Sequence, residues 1–265
     1  MTVADEEAAL LGLAPVAPDR TVAYGPHPDQ LVDLYVPRAG DGVPAAARGP
    51  VVVLLHGGFW RAAYDRRHLS PLAAELAGRG LPVALAEYRR VGAGGGAPQT
   101  FEDVTAGIDA AYGAYAALAQ ASPGPSLVLV GHSAGGHLAL LAAARPRTPV
   151  TRVLAVSPVA DLARAHALGL SGGAVAELLG DGPGFPARLA AADPAQRPPA
   201  GVPVTILHGT DDPDVPLELS RRYAAQSPAT TVLRELPGVG HYAPVTPGSP
   251  SCDVLTGLVC RPSST

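Results

Sequence analysis

The sequence predicts an α/β fold in which a mostly parallel central sheet of about eight strands carries helices on both faces. Short, continuous apolar runs alternate with longer Ala-rich helical stretches, and this is the pattern of strands buried between helices. The chain has 265 residues, of which 47% are hydrophobic, enough for one large domain with a substantial core. No internal repeat is visible. We therefore expect a single domain over residues 1–265.

Eight segments are predicted as strands. The first two alternate between apolar and polar residues and are expected to form an antiparallel entry hairpin. The other six are continuous apolar runs, as expected for strands covered on both faces. In chain order, the eight segments are residues 21–25, 30–36, 51–56, 82–88, 126–131, 151–156, 202–208 and 230–236.

Helices are predicted between and after these strands, at residues 68–79, 99–121, 134–145, 216–227 and about 250–259. Gly- and Pro-rich stretches at 39–50, 92–98 and 180–203 separate the elements. The segment 161–200 is too long for a plain connection between two core strands, and we expect it to form a small lid.

Composition excludes several classes of function. A net charge of -4 does not predict nucleic-acid binding, and no apolar run reaches the roughly 18 residues of a membrane span. The acidic N-terminus has no basic stretch typical of a secretory signal, so a cytoplasmic location is expected. Cys252 and Cys260 are eight positions apart in a predicted helix, about 12 Å of rise, and are expected to be free thiols. No metal-binding motif occurs, and we expect no metal and no cofactor.

The sequence Gly-His-Ser-Ala-Gly at residues 131–135 indicates a serine nucleophile. It joins a short buried strand to a good helix, which is the context that a G-x-S-x-G elbow requires. The serine of such an elbow has a strained backbone, so the positions two before and two after it must be small. We therefore predict Ser133 as the nucleophile, against the alternative of an ordinary strand-to-helix turn with a surface serine.

A serine nucleophile needs a histidine base and an orienting acid, which follow it in the order Ser, Asp/Glu, His in this type of site. Of the eight histidines, only His241 lies after a late strand and a preceding acidic loop. The acid is expected in the loop 209–216, which offers Asp211, Asp212 and Asp214. Spacing does not choose among them, and Asp214 also suits a helix-capping role.

The oxyanion hole is predicted at His56-Gly57-Gly58-Phe59-Trp60, directly after a strand. Glycines let backbone amides approach a developing oxyanion, and the residue after the nucleophile, Ala134, supplies a further donor. We expect the amides of Gly58 and Phe59 to donate, with Gly57 as an alternative.

Three further side chains are candidates for the substrate pocket because of their neighbours in the sequence: Trp60, His132 and Tyr242. For Trp60, packing in the core is the more frequent role of a tryptophan, and a wall of the pocket is the other reading.

These motifs resemble a known family. The sequences GHSAGGHLA at 131–139 and HGGFW at 56–60, with EYRR at 87–90 and SPVADL at 157–162, are similar to the α/β-hydrolase group that contains kynurenine formamidase and related carboxylesterases. The similarity covers residues 32–258, apart from 168–199. Phe59 stands where the hormone-sensitive-lipase branch usually has a third glycine.

The resemblance implies that Asp212 is the acid, since His-Gly-x-x-Asp-x-x-Val-Pro matches residues 208–216. It implies hydrolysis of a small carboxylic ester or aryl-formamide through an acyl-enzyme on Ser133. Two alternatives stay open: an acyltransferase with the same triad, and a catalytically silent ligand-binding protein on the same fold. The only partner expected is a small-molecule ester or amide substrate, without nucleic acid or membrane. The sequence does not predict the oligomeric state.

Overall fold

A computed structural model describes residues 2–37, 49–119 and 126–261. Most of the predicted connection at 39–50, and the last two residues of the predicted helix 99–121, lie outside the described residues. Within the described part, all eight predicted strands are present, which confirms the α/β fold class.

The strands form one sheet in the order β1-β2-β4-β3-β5-β6-β7-β8. β2 pairs antiparallel with β1 and with β4, and every other pairing is parallel. The antiparallel entry hairpin is therefore confirmed. The strands are β1 (Arg20–Ala23), β2 (Leu31–Tyr35), β3 (Val51–Leu55), β4 (Val83–Ala86), β5 (Leu127–His132), β6 (Val150–Val156), β7 (Val204–Gly209) and β8 (Thr231–Leu236).

Helices cover both faces of the sheet. They are α1 (Val3–Leu11), α2 (Ser70–Gly78), α3 (Gln99–Ala119), α4 (Ala134–Ala144), α5 (Leu162–Ala167), α6 (Leu170–Leu179), α7 (Phe185–Ala192), α8 (Leu217–Gln226) and α9 (Pro250–Val259). Short 3-10 turns lie at Arg66–Leu69, Pro194–Gln196 and Ala243–Val245. The five predicted helices are all present.

Alternate residues of the central strands enter two separate hydrophobic clusters, one on each face of the sheet. Val51, Val53 and Leu55 of β3 pack with residues of α3, α4 and α8. Val52 and Leu54 pack with residues of α1, α2 and α9. This alternation follows from the two-residue period of a strand, and burial on both faces explains why the strand reads as a continuous apolar run.

The segment between β6 and β7, which we predicted as a lid, forms the three short helices α5, α6 and α7. α6 is kinked, because Ser171, Gly172 and Gly173 have left-handed backbone angles. A lid function for this segment stays a prediction.

α1 was not predicted. Its first turn is held by Asp5, whose carboxylate accepts from the Thr2 hydroxyl at 2.6 Å, and Leu10 anchors the helix in the core. No helix of the described residues is both long and apolar enough to cross a membrane. Cys252 is buried, Cys260 is exposed, and both are free thiols as expected.

Candidate active site

Ser133 lies in a tight turn between β5 and α4, here called the serine elbow (residues 131–135). Its φ of 56° is in the left-handed region, and its side chain is 2% exposed. The Ser133 amide donates to Val156 O at 2.8 Å, which ties the elbow to the neighbouring strand. A Cβ at Gly135 would lie 2.1 Å from Leu55 O, so this position accepts only glycine. Close packing in the core thus holds the strained serine in place.

His241 lies in the loop that follows β8, here called the histidine loop (residues 237–243). Its Nδ1 donates to Asp212 Oδ2 at 2.7 Å, and both side chains are buried. The other Asp212 oxygen, Oδ1, accepts from the amides of Asp214 and Val215 at 2.9 Å each. The structure thereby brings Asp212 and His241 together.

The two neighbouring aspartates have other surroundings. Asp211 is exposed and accepts from the Thr210 hydroxyl at 2.8 Å. Asp214 lines the same cavity as Ser133, and burial raises the pKa of its carboxyl. Of the three, Asp212 is the one whose carboxylate the His241 imidazole contacts in a hydrogen bond.

Hydrogen bonding keeps Asp212 ionised. Burial by itself would raise the pKa of this carboxyl, but the bonds from His208 and His241 outweigh it and hold the pKa well below its usual range. His208 is a residue that we did not single out. Its Nε2 lies 3.2 Å from Asp212 Oδ2, and its Nδ1 contacts the Ser220 hydroxyl at 2.7 Å. Its position four residues before Asp212 was the available signal.

The loop after β3 approaches the serine closely. A Cβ at Gly57 would lie 2.9 Å from the Cβ of Ser133, so only glycine permits this approach. Phe59 and Trp60 have φ values of 49° and 60°. Within the part of the chain that the structure describes, the amides of Gly58, Phe59 and Ala134 make no hydrogen bond to the protein. These three groups are therefore available to an oxyanion.

A buried ion-pair network supports this loop. His56 Nε2 lies 2.7 Å from Glu87 Oε1, and His56 Nδ1 lies 2.8 Å from Gly57 O. The Tyr88 ring stacks on His56 at a centroid distance of 4.5 Å. Burial opposes ionisation of Glu87, but His56 and the basic residues nearby lower the pKa of Glu87 to about 2. His56 is thus the structural residue of the HGGFW motif.

His132 packs against the His241 ring at a centroid distance of 4.6 Å. Its Nε2 donates to the main-chain oxygen of His241 at 3.0 Å. Burial, together with the nearby His241, holds the pKa of His132 well below its usual value. His132 is therefore neutral, and no positive charge on it opposes protonation of His241.

A cavity of about 310 Å³ joins these groups. Ser133, His241 and the loop after β3 line it. The rest of the lining comes from Arg61, Tyr64, His68, Ser171, Asp214, Tyr242, and Glu7 and Leu11 of α1. His132 and Tyr242, both predicted pocket residues, are in this lining. A larger cavity, of about 760 Å³, is lined by residues of α3, α4 and α7 and contains none of the candidate catalytic residues.

Trp60 does not belong to the cavity lining, which corrects its place among our pocket candidates. Its side chain is 1% exposed and packs in the core, with its ring edge-on to His137 at a centroid distance of 5.2 Å. Trp60 has a φ of 60°, and its side chain lies in the hydrophobic core on the helix α4 side of the sheet. The alternative reading, core packing, is the one that the structure supports.

Among the described residues, Asp212, Asp214 and His241 form a group whose ligand atoms lie within 4.8 Å of one another, close enough for a metal ion. Asp212 and His241 already bond each other, so an ion there would replace that hydrogen bond.

The family model described as BD-FAE matches residues 32–226, nearly three quarters of the chain. Among curated relatives, an isoprenylcysteine alpha-carbonyl methylesterase of Arabidopsis thaliana is 32% identical over 158 residues, which are 58% of this chain and 34% of the relative. A probable enzyme of the same name in Oryza sativa subsp. japonica is 29% identical over 230 residues, 77% of this chain and 52% of the relative. The chain thus spans a third to a half of these relatives.

Two solved structures share the fold. One is a truncated carbohydrate esterase from gut microbiota, with a TM-score of 0.73 and 19% identity, covering 93% of this chain and 98% of that one. The other is an inhibited esterase B from Lactobacillus rhamnosis, with a TM-score of 0.72 and 22% identity, covering 96% and 89%. At these identities the likeness shows the α/β-hydrolase fold.

Proposed function

This chain belongs to the BD-FAE family of α/β-hydrolase-type esterases, and from that premise we propose that it hydrolyses small carboxylic esters through an acyl-enzyme on Ser133. One observation carries the proposal. The strained Ser133 shares a cavity with His241, whose imidazole is held by the buried Asp212 carboxylate at 2.7 Å.

In the first step, Ser133 Oγ attacks the ester carbonyl carbon and His241 Nε2 accepts the hydroxyl proton. The Asp212 carboxylate holds Nδ1–H, so Nε2 keeps its lone pair for this proton. As the tetrahedral intermediate collapses, the C–O bond to the alcohol breaks and His241 returns the proton to the leaving oxygen. Water then attacks the acyl-enzyme in the reverse order and releases the acid.

Three main-chain amides can donate hydrogen bonds to the negative charge that develops on the carbonyl oxygen of the substrate. The amides of Gly58, Phe59 and Ala134 are free of protein partners among the described residues, and Ala134 is the first residue of α4, whose N-terminal end favours negative charge. One such donor contributes about 3 kcal/mol to the transition state.

The size of the cavity supports a short acyl group and a small alcohol. A volume of about 310 Å³ is at the low end for small-molecule sites. The names of two relatives, which are methylesterases, support methyl esters as small substrates of this kind. We therefore propose acetyl to butyryl esters and methyl esters as the preferred class.

An aryl-formamide is the second candidate substrate. The formyl group is the smallest acyl group, and Phe59, Tyr64 and Tyr242 place three aromatic rings around the cavity for an aromatic leaving group. This candidate rests on the same serine and the same oxyanion donors.

The test is a substrate panel on the full chain. It compares p-nitrophenyl acetate, butyrate and octanoate, a methyl ester and N-formylkynurenine, using the wild type, Ser133→Ala and Ser227→Ala. Ser227 is the matched control, because its buried hydroxyl lies outside the site and has no hydrogen-bond partner among the described residues. We expect Ser133→Ala to lose at least about 10⁴-fold in kcat/KM and Ser227→Ala to keep wild-type activity.

Three results would change the proposal. Full ester turnover by Ser133→Ala would refute the serine mechanism. A preference for octanoate over acetate would refute the size argument, and N-formylkynurenine as the best substrate would replace the ester by the formamide. With an added alcohol acceptor, a transfer product exceeding the free acid would show an acyltransferase instead.

A further inference from the structure

The N-terminal helix α1 contacts the active site, although it lies outside the residues 32–226 that match the family. Its exposed face lines the cavity through Glu7 and Leu11, which are one helical turn apart. The preceding residue, Glu6, points inward instead and is only 3% exposed. A buried carboxylate requires hydrogen-bond donors, and the donors here come from the opposite end of the chain.

Glu6 accepts three main-chain hydrogen bonds from the histidine loop. Its Oε1 accepts from the Gly240 amide at 2.8 Å. Its Oε2 accepts from the Tyr242 amide at 3.0 Å and the Ala243 amide at 2.9 Å. These amides lie on both sides of His241, so one carboxylate holds the peptide units that flank the candidate base.

Two further hydrogen bonds fix the position of His241. His132 donates to its main-chain oxygen, and Asp212 accepts from its imidazole. The loop contains no regular helix or strand between β8 and the turn Ala243–Val245. Side chains from other elements therefore bond to the main chain of this loop, and Glu6 accepts three of these bonds.

We propose that Glu6 is a positioning residue, which sets the orientation of the His241 imidazole by holding the main chain on both sides of it. This inference rests on the proposed ester hydrolysis for its kinetic consequence, and on the geometry of the loop for its structural one. Glu6 is absent from the cavity lining, so it acts on turnover rather than on substrate binding.

The alternative is that Glu6 only anchors α1. Two variants separate these roles. In Glu6→Gln the amide NH₂ faces at least one main-chain N–H, whichever way it is turned, so the loop loses one or two bonds while the side-chain size is kept. Ala8→Gly is the control, because it loosens α1 at an exposed position without touching the loop.

The experiment measures kcat and KM for p-nitrophenyl acetate on the full chain, together with melting temperature. We expect Glu6→Gln to lose 10- to 100-fold in kcat with KM changed by less than threefold, since small displacements of a catalytic group have effects of this size. Glu6→Asp, which keeps the charge but is one methylene shorter, should fall between Glu6→Gln and the wild type. Ala8→Gly should stay within threefold of the wild type.

A second readout does not depend on activity. The downfield ¹H NMR signal of the His241 Nδ1–H that bonds to Asp212, identified by its absence in His241→Gln, should shift or disappear in Glu6→Gln and persist in Ala8→Gly. Unchanged kcat and an unchanged signal in Glu6→Gln would overturn the inference. So would equal losses in Glu6→Gln and Ala8→Gly.

The two proposals can fail separately. If the wild type hydrolyses no ester, the proposed function fails and the NMR signal alone decides the role of Glu6. If Glu6→Gln does not fold, Glu6→Asp decides it, and wild-type kcat with a wild-type signal in that variant would overturn the inference.

Discussion

The serine elbow and the histidine loop face the same cavity but are held in different ways. The elbow is continuous in sequence, lies between a strand and a helix, and is packed so tightly that Gly135 nearly touches the main chain of β3. The histidine loop has no regular structure and is held by Glu6, His132 and Asp212, three side chains that are far apart in the sequence.

The two segments are fixed by different interactions, the elbow by core packing and the histidine loop by hydrogen bonds. Core packing holds a strained main chain, because neighbouring atoms leave no room for another conformation. Hydrogen bonds to its main chain orient the histidine loop, which has no regular secondary structure. Added bulk at the glycines of the elbow should therefore affect stability first, and changes to the side chains that hold the histidine loop should affect turnover first.

The largest expected effect is on turnover, from Asp212→Asn. Without the carboxylate, the His241 imidazole loses the partner that fixes its tautomer, and kcat/KM for p-nitrophenyl acetate should fall about 10⁴-fold. The neighbouring exposed residue supplies the control, and Asp211→Asn should stay within threefold of wild type. Equal losses in both variants would show that the acid is assigned wrongly.

The next effect is on stability, from Gly135→Ala. The new Cβ would lie 2.1 Å from Leu55 O and 2.5 Å from His56 O, and neither main-chain atom has room to move. We expect a loss of about 3 kcal/mol or more in the free energy of unfolding, measured by urea denaturation. Gly113→Ala in α3 is the matched control. Nothing lies within 4 Å of its added Cβ, so the protein should be unchanged or up to about 1 kcal/mol more stable. A stable Gly135→Ala would refute the packing argument.

Acid should destabilise the folded protein through His137, a buried histidine two residues after the serine elbow. Burial lowers the pKa of His137 to about 4, so the folded protein keeps this ring neutral where the unfolded chain, near pH 6.5, already protonates it. Between these two pH values the unfolded state binds more protons. The free energy of unfolding should therefore decrease by about 1.4 kcal/mol per pH unit for such a group as pH falls.

Urea denaturation of the wild type at pH 7, 6 and 5 measures this slope. His137→Gln should lose its share of it, whereas His166→Gln, which changes an exposed histidine, should keep the full slope. The same slope in His137→Gln and the wild type would contradict the assignment.

The smallest effect is expected from Tyr242→Phe in the histidine loop. The main-chain amide of Tyr242 bonds to Glu6, while its hydroxyl makes a long contact of 3.4 Å to Glu7. Removing the hydroxyl should change kcat by less than threefold. A tenfold rise in KM would instead show that the hydroxyl binds substrate.

Much of the fold was predictable because its strands are covered on both faces. Continuous apolar runs such as 51–55 and 127–132 predict buried strands, and the ends of all eight strands were predicted within about two residues. α1 was missed because it is short, largely exposed and acidic, so no apolar periodicity marks it. The helices α5, α6 and α7 were missed because each has only six to ten residues and because two glycines interrupt α6.

The candidate site was predictable where its residues are close in sequence. The serine elbow and the loop after β3 each form one short motif after a strand, and parallel strands bring such motifs to the same edge of the sheet. His208 lies in the same motif as Asp212, but its contact with the carboxylate depends on the fold of the loop. Trp60 was ambiguous for a related reason, since its burial in the core depends on residues from distant parts of the chain.

The sequence by itself therefore determined the fold class, the serine elbow, the glycine-rich loop after β3, and the order in which Ser133, an acidic loop and His241 follow one another. These depend on local patterns of burial and on small residues at close approaches. The tertiary structure decided which aspartate carboxylate His241 contacts, where Trp60 packs, and that Glu6 holds the histidine loop. Contacts across 234 to 237 positions leave no local pattern, because the Glu6 carboxylate and the three main-chain amides come together only in the folded chain.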